Sequence, residues 1–372
     1  MFAREIVVEV DGATSVLSGR IELEGGEPFE LEYRFEGVEP GDVRASGDPF
    51  LAALLAPAMA RGEDLEIDAP LSPRLRAASA TIQDIYAAWA EGAERVRISA
   101  PALEAPGTPG AGNGQLFTGG VDSYYSMLRG GPKSHFLFAQ GFDISLADNA
   151  GFAKAAEHVR YAAREVGAVP VLVRTNLRDF SDAHVHWEIY HGAALATLGL
   201  ALQGVLGRLV IPSSWSYANL RPYGTHPLLD PLWSTEGLEV VHDGCEARRF
   251  EKVAAISGSD LAVENLRVCF TIPADGLNCG RCQKCVSTLA FLSAAGAADR
   301  AASFPPGFTP ERLRRTRLSN PAVVQTLADL LASLRERGET GEFVQALDYA
   351  LHPPLWRRAL RYARYLMRKW TP

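Results

Sequence analysis

Two clusters of residues have the types and spacing to do chemistry. The first is Thr118-Gly119-Gly120-Val121-Asp122-Ser123, entered from the apolar run Gln115-Leu116-Phe117 and left through Tyr124, Tyr125 and Met127, which read as a helix start. Strand, glycine turn and helix is the order that aims main-chain N–H groups and a helix N-terminus at an anion, and the hydroxyls of Thr118 and Ser123 add donors for phosphate oxygens. It is not a Walker loop, because the spacing is too short and the lysine is missing. The second cluster is Cys269-x9-Cys279-x2-Cys282-x2-Cys285. Short Cys-x2-Cys steps let thiolates converge on one ion, Gly280 permits the turn, and Arg281 and Lys284 offset negative charge. Four thiolates with no open position make a structural Zn²⁺ site. An iron–sulfur cluster is the competing reading, although the closing Cys-Pro of the bacterial ferredoxin pattern is absent.

The elements that must position the first cluster alternate. Strands are expected at 116–117, 135–139, 169–173 and 208–212, with helices from 121 to about 129, over 152–166 and over 190–206. Long helices between strands imply parallel pairing with right-handed crossovers, so the spacing predicts an α/β domain with a doubly wound parallel sheet and ligands beyond the carboxyl ends of its strands. Gln140, Gly141, Phe142 and Asp143 follow the second strand, Arg174, Thr175 and Asn176 the third, and Ser213, Ser214, Trp215, Ser216 and Tyr217 the fourth.

Four segments are expected along the chain. Residues 1–105 form an N-terminal α+β accessory domain, with alternating strands at 6–10, 20–24 and 29–35 and helices opened by Asp48-Pro49 and Ser72-Pro73. Residues 106–114, rich in Pro and Gly, read as a linker; 115–300 hold the glycine turn and the cysteines; 301–372 form a C-terminal helical extension. That extension ends in a basic amphipathic helix over 355–370, for which docking within the protein is preferred over anionic lipid or nucleic acid. His184, His186 and His191 read as the start of a packed helix before they read as metal ligands.

The 372 residues suffice for more than one domain, and a net charge of -7 argues against a general nucleic-acid binder, leaving the basic C-terminal helix as the local exception. The most apolar stretch, 192–212, is interrupted by Gln203 and Arg208 and reads as a buried helix and strand, so no membrane span is expected. With no secretory leader and four of five cysteines clustered, the expected compartment is cytoplasmic.

The turn at 118–123 resembles the Ser-Gly-Gly-x-Asp-Ser loop of the PP-loop ATP pyrophosphatase superfamily, with Thr118 at the first position. Together with the late four-cysteine site, it makes residues 115–295 most similar, within that superfamily, to the 7-cyano-7-deazaguanine synthases. The resemblance implies a PP-loop, adenine nucleotide alpha hydrolase-like fold and an AMP-forming ligase-type activity. In that activity ATP, with Mg²⁺, adenylates a small-molecule carboxylate or amide oxygen and pyrophosphate leaves. By the same resemblance Thr118, Gly119, Gly120, Val121, Asp122, Ser123, Ala139, Gln140, Phe142 and Ser213 would hold the nucleotide. Asp122, Ser123, Lys252 and Arg248 would serve catalysis, and Tyr217, Arg221, Tyr223, His226 and Asp230 would bind the substrate. The residues before Asn113 have no counterpart in the synthases, and 217–230 lacks their Asp-Cys-Arg wording, so the substrate stays open. The alternatives are a PP-loop sulfurtransferase, with Cys245 carrying a persulfide, and a non-catalytic nucleotide-binding partner protein; a homodimer is compatible with each.

Overall fold

The computed structural model describes residues 1–101, 108–269 and 271–354. The chain divides into two compact units, Met1–Ala247 and Arg248–Pro372. The first is α/β, built on one mostly parallel sheet of ten strands flanked by helices.

Its early part follows from local signals. Alternating apolar and charged residues make β1 (Phe2–Asp11), β2 (Thr14–Glu22) and β3 (Phe29–Glu36) an antiparallel meander. Proline in the first turn starts α1 (Asp48–Arg61) and α2 (Pro73–Trp89), and the short strands β4 (Leu65–Ile67) and β5 (Ile98–Ser99) extend the sheet beside β1. Asp48 fastens this region from within: its buried carboxylate accepts the Ser72 N–H at 2.8 Å, the Ser72 hydroxyl at 2.6 Å and the Gln203 side-chain amide at 3.0 Å. Burial raises the Asp48 carboxyl pKa although those three bonds oppose the shift.

The alternating part follows with β6 (Gly112–Leu116), α3 (Val121–Leu128), β7 (His135–Gln140), α4 (Asn149–Val166), β8 (Val169–Thr175), α5 (Leu177–Ser181), α6 (Trp187–Ala201), β9 (Leu206–Pro212) and β10 (Glu239–Asp243). The full order is β10-β9-β6-β7-β8-β3-β2-β1-β4-β5. The five strands from β10 to β8 are all parallel. Numbered from β6 they run 5-4-1-2-3, the doubly wound order, and the chain reverses direction across the sheet between β6 and β9.

Two features differ from the sequence expectation. β3 pairs antiparallel with β8 from Tyr33↔Thr175 to Glu36↔Leu172, so the strands of the first hundred residues and those after 112 share one sheet. The Gly-rich stretch expected as linker through residue 114 is strand from Gly112 onward. Glycine suits that place because a Cβ on Gly112 would stand 2.7 Å from the main-chain oxygen of Val205. Residues 106 and 107 lie outside the described residues.

The second unit is helical: α7 (Arg249–Ile256), α8 (Asp260–Glu264), α9 (Gln283–Ala294), α10 (Pro310–Arg315), α11 (Pro321–Glu336) and α12 (Glu342–Leu351). In α11, Val323, Leu327, Leu330, Leu331 and Leu334 are buried at the spacing of one helix face. The basic amphipathic stretch at 355–370 lies outside the described residues. Among the described residues, no helix is long and apolar enough to cross a membrane.

Candidate functional site

The glycine turn lies where the sheet topology favours a ligand. It leaves the carboxyl end of β6, the strand beside the switch point, and enters α3. Gly119 adopts φ +75, a left-handed conformation that glycine takes without strain, and Gly120 is the N-cap of α3 with no side chain capping the helix. Thr118 N–H donates to Ser123 Oγ at 3.1 Å, and the hydroxyls of Thr118 and Ser123 are 3.2 Å apart, which closes the turn on itself. Beneath it the buried Gln115 side-chain amide donates to Ser123 O at 2.8 Å, while Gln115 Oε1 is buried with no hydrogen-bond partner. Ser126, one turn further along α3, donates to Asp243 Oδ2 at 2.6 Å and ties the helix to the end of β10.

Around this turn the sequence-derived nucleotide residues sit at strand ends. Ala139 and Gln140 close β7; Gln140 Nε2 donates to Ser145 O at 3.0 Å and to Leu146 O at 3.3 Å, and its Oε1 is a second buried acceptor without a partner. Gly141, at φ +98, is required, since a Cβ there would stand 1.8 Å from Thr175 O. The Phe142 ring packs on Trp187 with centroids 5.4 Å apart, and its carbonyl accepts Arg178 Nη1 at 2.8 Å. After β9, Ser213 Oγ donates to Trp215 O at 2.5 Å and lies 3.2 Å from Cys245 Sγ.

The expected substrate residues divide into three groups. Arg221 and Tyr223 join an aromatic cluster: the Arg221 guanidinium lies 4.4 Å over Trp215 and 2.8 Å from Glu188, and Tyr223 stands edge-on to His191 at 4.6 Å. Burial lowers the His191 pKa, so its imidazole is neutral near pH 7. His226 and Asp230 instead face inward. His226 meets Trp89 edge-on at 4.9 Å, and the fully buried Asp230 accepts the His226 N–H at 3.2 Å and contacts His242 Nδ1 at 2.6 Å. Tyr217 is exposed and contributes its N–H to Cys245 O at 2.7 Å.

His242 belongs to no motif in the sequence. Burial alone would lower its pKa, but hydrogen bonds to the Asp230 carboxylate and the Cys245 thiol prevail and push it up to about 9. An imidazolium is therefore held inside the fold at neutral pH, at the carboxyl end of β10, and the nearest sequence signal was only its place in the short run Glu239-Val240-Val241-His242-Asp243.

Lys252 and Arg248 belong to the second unit; Lys252 is almost wholly buried in α7, and Arg248 N–H donates to Glu251 Oε2 at 2.6 Å as the helix begins. In the same unit the four cysteines converge, all four sulfurs lying within 4.8 Å of one another. Cys269 and Cys282 sulfurs are 3.8 Å apart, and Cys279 and Cys285 sulfurs 3.9 Å. These separations are too long for disulfides and match the edge, about 3.8 Å, of a sulfur tetrahedron with metal–sulfur bonds of about 2.3 Å. Main-chain N–H groups support the sulfurs, Cys282 N on Cys279 Sγ at 3.3 Å and Cys285 N on Cys282 Sγ at 3.5 Å. Gly280 makes the turn at φ +64. Asn278 braces the loop, its Oδ1 accepting Val268 N–H at 2.9 Å and Cys269 N–H at 3.1 Å while its Nδ2 donates to Leu266 O at 2.6 Å. The set can hold a metal ion. Without one, the contact with Cys282 and burial push the Cys285 thiol pKa far up, and burial raises that of Cys269.

Among the described residues these cysteines are the only ligand group of three or more. The three histidines of 184–191 go to separate partners: His184 packs on Phe180 at 5.0 Å, His186 Nδ1 accepts the Glu188 N–H at 3.3 Å, and His191 Nδ1 bonds Trp187 O at 3.1 Å.

Comparison of the chain with protein-family models, with curated proteins and with solved structures finds no match.

Proposed function

We propose that the chain is an ATP-dependent, AMP-forming enzyme of the PP-loop type that adenylates a carboxylate or amide oxygen of a small molecule, in the manner of the 7-cyano-7-deazaguanine synthases. The observation that carries this reading is the uncapped start of α3 behind the left-handed Gly119, next to the switch point of the sheet. The substrate oxygen attacks the α-phosphorus of ATP, the α–β anhydride bond breaks, and pyrophosphate departs into the turn formed by residues 118–123. Amides of that turn and the hydroxyls of Thr118 and Ser123 stabilise the charge on the leaving phosphates, and Asp122 would help hold Mg²⁺, which supplies further charge neutralisation when bound. A nucleophile then displaces AMP from the activated carbon. Arg221, Tyr223 and the neutral His191 offer the substrate a cation, a ring face and a hydrogen-bonding imidazole.

The metal of the cysteine site is read as zinc. A single tetrahedral ion fits the sulfur separations, whereas an iron–sulfur cluster ligates its cysteines to separate irons and needs them further apart. Its role is structural, because four thiolates leave no position for a reactant.

A second reading, sulfur transfer through a Cys245 persulfide, is favoured by one observation: the Cys245 thiol lies 3.2 Å from Ser213 Oγ, beside the carboxyl ends of β9 and β10. The deciding experiment is a metabolite screen for substrate-dependent pyrophosphate release, with Asp122→Ala and Cys245→Ala alongside. Loss in Asp122→Ala and retention in Cys245→Ala support adenylation without a sulfur carrier; loss in both favours the second reading. ATP binding with background pyrophosphate release on every substrate would leave a nucleotide-binding partner protein.

A further inference from the structure

The charge of the chain is divided unevenly between its units. Residues 1–247 carry 18 basic and 33 acidic side chains, net -15, whereas residues 248–372 carry 19 basic and 11 acidic, net +8. Six of the second unit's basic side chains lie in residues 355–372, outside the described residues, so residues 248–354 carry 13 basic and 11 acidic side chains, net +2, which the two negative charges of a zinc tetrathiolate offset.

Within those residues the charge is unevenly placed, and arginines gather in one groove. A groove of about 700 Å³ runs between the cysteine loop and α10, lined by Arg281, Arg312, Arg315 and Arg317, with Glu311 the one carboxylate in its lining. Arg315 Nε donates to Glu311 at 2.7 Å, and Arg312 Nη1 donates to Gly280 O at 3.3 Å, so α10 is held against the cysteine turn. Gln283 Oε1 accepts the N–H groups of Ser319 and Asn320, each at 3.0 Å, which fixes the segment just after Arg317 to the first residue of α9. The guanidinium groups are thus mounted on a braced frame with too few carboxylates to neutralise them. Several planar forks spread along one groove suit the oxygens of successive phosphates better than one small anion, and the acidic first unit would repel a polyanion.

We propose that this groove binds the phosphodiester backbone of a nucleic-acid strand. The inference does not depend on the adenylation reading and concerns a different surface.

The test is fluorescence anisotropy of a labelled single-stranded RNA of about 20 nucleotides, titrated with the full-length, zinc-loaded protein across a salt series. In Arg281→Glu/Arg315→Glu/Arg317→Glu, affinity is expected to fall at least about tenfold, and the slope of log K against log salt to drop by about 2, at about 0.7 per lost phosphate contact. Arg335→Glu/Arg337→Glu, a charge reversal of equal sign outside the groove lining, is expected to leave both within about twofold, which separates the groove from net charge. Should the triple variant lose its zinc, Arg315→Ala/Arg317→Ala is expected to lower the slope by about 1.4. Four results would overturn the proposal: no RNA binding by the unmodified protein, unchanged binding in the groove variants, equal loss in the control, or binding lost only when residues 355–372 are removed. Binding to phosphatidylserine vesicles without binding to RNA would also overturn it.

Discussion

Gln115 and Ser123 are joined across the turn: the glutamine amide at the end of β6 donates to the serine carbonyl in the first turn of α3 at 2.8 Å, with both residues buried. This bond sets how the helix start is presented to a ligand. Gln115→Leu keeps the bulk and removes the donor, and is expected to lower stability by about 1 kcal/mol and to weaken ATP several-fold, read by urea denaturation and calorimetry.

The glycines separate nucleotide binding from substrate binding. Gly119→Ala forces a side chain to φ +75, costing about 1–2 kcal/mol, and is expected to reduce the thermal shift given by ATP. A Cβ on Gly192 would stand 1.9 Å from Gly224 O, so Gly192→Ala displaces the loop carrying Tyr223 and Thr225. That variant is expected to raise the substrate KM of the pyrophosphate-releasing reaction while leaving ATP affinity within about twofold.

The Asp230–His242 pair links stability to pH. The His242 pKa is raised from 6.5 to about 9 in the folded protein, so its contribution is full below about pH 6.5 and is lost as pH rises through about 9. Asp230→Asn leaves a buried imidazole without its carboxylate and is expected to cost on the order of 3 kcal/mol at pH 6 and much less at pH 10, measured by denaturation at both values.

The metal is expected at one zinc per chain by elemental analysis, and Cys282→Ser or a strong chelator is expected to lower the melting temperature of the second unit. The raised Cys285 and Cys269 thiols are protonated near pH 7 when no metal is bound, so zinc must release protons on binding. Calorimetry in buffers of different ionisation enthalpy should show that release, with affinity rising as pH rises.

Much of this was legible in residue order. Proline at helix starts placed α1 and α2, alternation placed β1 to β3, and apolar runs placed β7, β8 and β9, because those signals are local. The four sulfurs meet as their spacing requires. Pairing between distant strands was not legible: nothing in Tyr33 or Thr175 shows that they lie side by side, and the glycines of β6 read as linker because the Val205 carbonyl that crowds Gly112 is far away in sequence. β10, at five residues, is too short to stand out by its pattern, and His242 goes with it. His226 and Asp230 looked like ligand groups by type, yet they face inward to Trp89 and His242, a direction that only the packed fold fixes.

The central claim concerns where a nucleoside triphosphate sits. A crystal of the full chain grown with Mg²⁺ and a non-hydrolysable ATP analogue is expected to show the β- and γ-phosphates against the amides of residues 119–123 and the hydroxyls of Thr118 and Ser123. Triphosphate density elsewhere, with that turn unchanged and closed by its own Thr118–Ser123 contacts, would contradict it.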